Sequence, residues 1–164
     1  MRGKGHDAMM RVSKQRRLLG GLLAALLLIG SAAGSARAQD QEVALVKVVA
    51  GEAYALRAQE RAALTVGEAI FIMDVVETVD GSVGLTFKDG SRISIGPNSR
   101  VQFTQFEFSP AEGKLAFLID FFRGTMHYIS GVIAKLSPDA VKVRTPVATV
   151  AVRGTRFLAK VEGD

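Results

Sequence analysis

From Val43 onward, apolar and polar residues alternate in short runs separated by Gly-, Asp- and Pro-containing turns, a pattern that reads as strands rather than helices. Val43 to Val49 is rich in β-branched residues and meets a turn at Ala50-Gly51. Tyr54 to Arg57 predicts a return strand, and Gln59 to Ala62 a polar connection. Ile70 to Thr78 reads as one apolar strand interrupted by Asp74 and Glu77 and closed by Asp80-Gly81. The expected fold is all-β: a two-layer β-roll or sandwich of short, mostly antiparallel strands with one short helix.

One hairpin can be specified to the residue. Val83, Leu85 and Phe87 alternate with polar or small residues, as do Ile93 and Ile95 after Asp89-Gly90. A two-residue Asp-Gly loop would set Phe87 opposite Arg92 and mix apolar with polar residues on each face. A three-residue Lys88-Asp89-Gly90 loop instead pairs Phe87 with Ser91, Leu85 with Ile93 and Val83 with Ile95. One face is then apolar throughout, and a one-residue slip would destroy it. The prediction is a type I turn followed by Gly90 in the left-handed region as a bulge.

Further along, Gly96-Pro97-Asn98-Ser99 is a turn containing Pro97. Val101 and Phe103 face inward on odd positions but Phe106 and Phe108 on even ones, so a bulge belongs near Thr104-Gln105. Ser109 to Gly113 is a turn. Leu115 to Phe122 is apolar on both parities except at Asp120, which predicts a central strand, and Arg123-Gly124 reads as a break. Gly131 to Leu136 is the helical candidate. Val141 to Arg144 and Val147 to Val152 are strands flanking Thr145-Pro146, where Pro146 keeps the preceding residues extended. A last strand, Arg156 to Val161, follows the Arg153-Gly154-Thr155 turn.

The first 38 residues follow another pattern. Six Lys and Arg precede Leu18, an apolar stretch runs from Leu18, and the segment ends in Ala36-Arg37-Ala38. This is the form of a secretory signal peptide cut between Ala38 and Gln39. The alternative is an uncleaved membrane anchor over residues 18–34. The expected organisation is a signal peptide at 1–38, a short polar tail at 39–42 and a β domain at 43–164. An exported, periplasmic or secreted, product follows, meeting the membrane only through the transient leader.

Charge sharpens this division. The formal net charge is +5, yet residues 1–38 hold seven of the 21 Lys and Arg and one of the 16 acids. The rest is close to neutral and carries no field suited to nucleic acid. With no Cys, disulfides, thiolate metal sites and Cys nucleophiles are excluded. His127 is the one His in residues 39–164, too few for a zinc set, and no metal or cofactor is expected. Asp74, Glu77 and Asp80 form an acidic run that reads as a solvated turn rather than a catalytic carboxylate pair. No nucleophile elbow, phosphate loop, dinucleotide fingerprint or zinc-protease motif occurs, so a non-enzymatic role is expected.

Arg153-Gly154-Thr155 is the motif to single out. Arg153 has the fork geometry to grip a carboxylate on a partner, while Gly154 supplies the backbone freedom of a strand break. Arg144, Arg153, Thr155 and Arg156 are therefore the candidate partner-binding residues, and Gly90, Pro97, Pro146 and Gly154 the structural ones.

These motifs resemble the FecR domain family, named after the ferric-citrate signalling regulator of bacterial envelopes. The series runs from Leu64-x-Val66-Gly67-Glu68 and Asp74-Val75-Val76-x-Thr78 through Gly81-Ser82, Phe87-x-Asp89-Gly90-Ser91, Gly96-Pro97-Asn98-Ser99 and Arg123-Gly124. It ends in Val143-Arg144-Thr145-Pro146-x-Ala148-Thr149-Val150-x-Val152-Arg153-Gly154-Thr155-x-Phe157. The likeness spans roughly residues 43–160. It implies a β-rich domain beyond the inner membrane that takes a signal from a partner protein and passes it on. The regulator proper also has a cytoplasmic sigma-binding domain, for which the residues before the apolar segment here are too few. Arg156 stands where the family more often has Asp or Glu, and the family usually has one more hairpin at the end, whose absence would leave an open strand edge. The functional expectation is an exported envelope module that binds a protein and relays a signal. The alternative is a glycan- or peptidoglycan-binding module, which a groove with exposed aromatics would favour, as a free sheet edge would favour protein docking.

Overall fold

The computed structural model describes residues 41–162, and the expected leader with its cut at Ala36, Ala38 and Gln39 lies outside them. Twelve strands follow in order: β1 (Glu42–Ala50), β2 (Ala53–Arg57), β3 (Glu60–Ala63), β4 (Ala69–Phe71), β5 (Val75–Thr78), β6 (Ser82–Phe87), β7 (Arg92–Ile95), β8 (Arg100–Ser109), β9 (Lys114–Ile129), β10 (Val141–Arg144), β11 (Thr149–Ala151) and β12 (Arg156–Val161). One turn of 3-10 helix, Pro110–Glu112, joins β8 to β9, and the short helix α1 (Val132–Leu136) follows β9.

The strands form one curled sheet that folds into two layers, hinged on β9. The first half of β9 lies between β8 and β10, and its second half between β7 and β12. One layer therefore runs β3-β2-β5-β8-β9-β10-β11, and the other β4-β1-β6-β7-β9-β12. The pairings are antiparallel except β10 on β9, which is parallel. The layers meet through aromatic rings: Phe87 of β6 lies 4.9 Å from Phe103 of β8 and 4.7 Å from Phe117 of β9. Phe106 meets Phe117 edge-on at 5.1 Å. Such pairs add to the stabilisation already gained from burying the rings.

The hairpin forms in the expected register. Leu85 pairs with Ile93 and Val83 with Ile95. The Phe87 amide donates to Ser91 O at 2.8 Å, and Gly90 has φ +80°. The parity switch in β8 is a bulge between Phe103 and Gln105.

Four readings are corrected. The run from Ile70 to Thr78 is two strands, not one: β4 pairs in one layer with β1, β5 in the other with β2 and β8, and Met73 at φ +68° turns the chain between them. Gln59 to Ala62 was expected as a connection, yet Glu60–Ala63 is strand β3, fully exposed and with no apolar alternation to announce it. Arg123-Gly124 does not interrupt β9, which runs through it and changes neighbours there. The tail expected at 39–42 is integrated from Gln41 onward, where the Gln41 side-chain amide donates to Phe106 O and Glu42 opens β1.

Candidate functional site

Asp74, read from sequence as part of a solvated acidic turn, is fully buried. Its carboxylate accepts Arg57 Nε and Nη2 at 2.8 and 2.7 Å and the Phe71 amide at 2.8 Å. It is therefore a structural anchor for the crossing between the layers. Glu77 lies between Arg61 and Arg100 on the same outer face, in ion pairs with both. Within the Leu115 to Phe122 run, Phe117 and Phe121 are core, while Phe122 is 39% exposed near the Arg100 guanidinium.

The four candidate partner-binding residues fall into three places. Arg144 projects from the outer face of β10 and forms a two-point pair with Asp120 on β9, its register neighbour. That pair raises the Arg144 pKa still further, first through the hydrogen bond and then through the opposite charge. Two of the five N–H donors of Arg144 are thus engaged within the fold, and the side chain stays half exposed. Arg153 sits at the end of β11 and pairs with Asp139, Nε to Oδ1 at 2.9 Å, with both side chains exposed. Thr155 and Arg156 lie further on, against α1.

The chain passes from one layer to the other between β11 and β12. The Val152 amide donates to Val141 O, Gly154 turns at φ +140°, and Thr155 O accepts both the amide and the hydroxyl of Ser130. The preceding turn is closed by Thr145, whose amide donates to Ala148 O at 2.7 Å, with Pro146 inside it. Pro97 occupies the β7–β8 turn, where its carbonyl accepts the Ser99 hydroxyl.

Among the described residues β11 pairs only with β10, and β12 only with β9. Between these two outer strands lies an open groove of about 360 Å³, lined by Val143, Val150, Val152, Phe157 and Leu158 with Arg153 at its rim. Val150 is 54% and Leu158 75% exposed. A second open pocket, of about 440 Å³, lies where β7, β9, α1 and the Thr155-Arg156 segment meet. Arg92 and Lys135 line it beside Arg156. Neither stood out in the sequence, because each is a single cation on an ordinary polar position and only the fold gathers them.

Below this pocket is a buried polar cluster. Asp89 accepts the Ser91 amide and hydroxyl, at 2.9 and 2.7 Å, and the Ser91 hydroxyl lies 3.1 Å from that of Tyr128. Burial is the main cause that holds the Tyr128 phenol above its ordinary pKa; Asp89 adds to it, and the hydrogen bond to Ser91 opposes it. No group of three metal-ligating side chains occurs among the described residues, and no helix among them is long and apolar enough to cross a membrane.

Comparison with known proteins supports the resemblance from Asp74 onward, while the Leu64 to Glu68 motif lies outside the matched stretch. The family model described as FecR protein matches residues 74–164. No curated protein and no solved structure matches the chain. The matched stretch holds the hairpin, the bent strand β9, the Thr145-Pro146 turn and both outer strands. This family is one of signal-transduction regulators at the cell envelope. The chain belongs to the FecR family.

Proposed function

We propose that this protein is an exported, non-enzymatic envelope module that docks an extended segment of a protein partner along the β11 and β12 edges and relays a signal through it. The observation that carries this reading is the pair of outer strands without a further strand partner among the described residues, set on either side of an apolar groove. Such an edge offers unpaired backbone donors and acceptors, and a strand added to it gains main-chain hydrogen bonds while alternate side chains enter the groove. Lys142, Arg153 and Lys160 lie on or beside these strands, which favours a segment carrying acidic residues. Arg153 can exchange Asp139 for a partner carboxylate, because an exposed ion pair is worth about 1 kcal/mol or less. The groove has aliphatic walls and Phe157 rather than a row of exposed aromatic rings, which favours protein over glycan.

A crosslinked pull-down from envelope extract, with the full chain as bait and mass spectrometry as readout, tests the proposal. The expected result is one dominant protein, lost with Leu158→Asp at unchanged thermal stability, and slowed amide exchange in β12 when that protein is added. No protein above background, together with retention on cell-wall fragments, would overturn it in favour of the glycan-binding alternative.

A further inference from the structure

Each layer holds paired and unpaired cations: Lys88 and Lys160 of the β7 layer meet Glu42 and Glu162, while Lys142 of the β8 layer forms no ion pair among the described residues. On the β8 side, Arg57, Arg61, Arg100 and Arg144 each meet a carboxylate. On the β7 side, Arg92 and Arg156 meet none among the described residues, and neither does Lys135 on α1. These three are the cations lining the 440 Å³ pocket.

Their placement follows from register. Arg92 on β7 and Arg156 on β12 are both partners of Ile129, one on each side of β9. Register partners share a face, and Ile93 and Phe157 next to them turn inward, so both arginines project outward. Two strand spacings set their Cα atoms roughly 9–10 Å apart. At that separation two guanidinium groups repel each other mildly, yet both reach a small anion held above Ile129. Lys135 lines the same pocket from α1.

One acid lines the pocket, Asp89, and its carboxylate is engaged within the fold. It is 1% exposed, and its oxygens are taken by the Ser91 amide and hydroxyl and, at 3.4 Å, by the Ile133 amide. Three cations against this one carboxylate leave net positive charge at the pocket, which suits a phosphate group, whose several oxygens can be shared among the cations. Arginine pairs favour the planar, two-point recognition of phosphate oxygens. Ile129 and Val132 add apolar wall for whatever the phosphate is attached to.

We infer that the pocket formed by Arg92, Lys135 and Arg156 binds a phosphate ester. The site is separate from the groove between β11 and β12 and stands whether or not the docking proposal does. Its ligand is either a free phosphate ester or a phospholipid headgroup, and the experiment distinguishes the two.

The full chain is titrated with glycerol 3-phosphate by calorimetry, and sedimented with phosphatidylcholine vesicles that contain or lack phosphatidylglycerol. Arg92→Gln, Arg156→Gln and the double variant are compared with Lys142→Gln, a cation of the other layer. The expected result is saturable binding weakened roughly tenfold by each single substitution, abolished by the double one and unchanged by Lys142→Gln. Response to the soluble ester assigns a free ligand. Phosphatidylglycerol-dependent sedimentation that the double variant loses assigns a headgroup, since the basic residues of the first 17 positions are common to all variants. Should an arginine variant lose its cooperative urea transition, Lys135→Gln takes its place. Absence of both responses, or binding that survives the double substitution, overturns the inference.

Discussion

Arg144 holds Asp120 through a two-point guanidinium–carboxylate pair across the parallel β9–β10 ladder. Asp120 is 5% exposed, and Arg144 is its hydrogen-bonding cation. The pair explains how one charged residue is tolerated within the Leu115 to Phe122 run of β9, which is otherwise apolar on both faces. Arg144→Ala leaves a buried carboxylate without its cation and is expected to lower the urea midpoint. The Asp120→Ala, Arg144→Ala double variant should recover part of that loss, read as a coupling energy from urea denaturation of all four proteins. Additive losses would show that the pair is not coupled.

Gly90 and Gly124 both have positive φ, but they fail differently on substitution. Around Gly90 nothing lies within 4 Å of an added Cβ, so the cost is backbone strain alone. Gly90→Val should lose about 1–2 kcal/mol, and Gly90→Asn distinctly less, in urea midpoints.

At Gly124, φ is +99° and an added Cβ would come within 2.5 Å of Ser99 Cα. Here β9 bends between the layers against the β7–β8 turn, so the backbone itself must move. Gly124→Ala should cost about 3 kcal/mol or more, exceeding any Gly90 variant, with loss of cooperative thermal unfolding as the limiting outcome. Equal stability of Gly90→Ala and Gly124→Ala would contradict the close approach.

Asp74 ties Arg57 and the Phe71 amide to the crossing between β4 and β5. Asp74→Ala removes a buried acceptor and is expected to cost about 2–3 kcal/mol. Asp80→Ala, at an exposed position nearby, should stay within about 0.5 kcal/mol. Differential scanning calorimetry of the two variants checks the contrast.

Tyr128 predicts an alkaline limb. Burial holds its phenol above the ordinary 10.0, so in the unfolded chain it loses its proton at lower pH than in the folded one. Its contribution is fully present below about pH 10 and is lost as pH rises through the folded value. Tyr128→Phe should flatten the fall in stability above pH 10. Tyr54 also shifts upward but is present in both proteins and cancels in the comparison. Parallel stability curves for the two proteins would contradict the assignment.

Strand alternation and turn chemistry determined much of the local structure from sequence alone. The Val83–Ile95 register was readable because only one pairing keeps Val83, Leu85 and Phe87 on one face with Ile93 and Ile95. The bulge after Phe103 was readable because inward parity changes there. These are local constraints, and the side chains that impose them are neighbours in the chain. The FecR motifs were legible for the same reason, since most of them are turns.

Only the tertiary structure decided the rest. Edge strand β3 has no buried face, so its sequence carries no alternation. The division of Ile70 to Thr78 between two layers depends on which strands stand beside each half, and β1, β2 and β8 are distant in sequence. The burial of Asp74 depends on Arg57 arriving from β2. The cationic pocket depends on β7, α1 and β12 converging around Ile129. Residue type and spacing fix how a segment pairs with its neighbour along the chain. Which charges meet, and which are left without a counterion, is set by contacts between segments that no local pattern encodes.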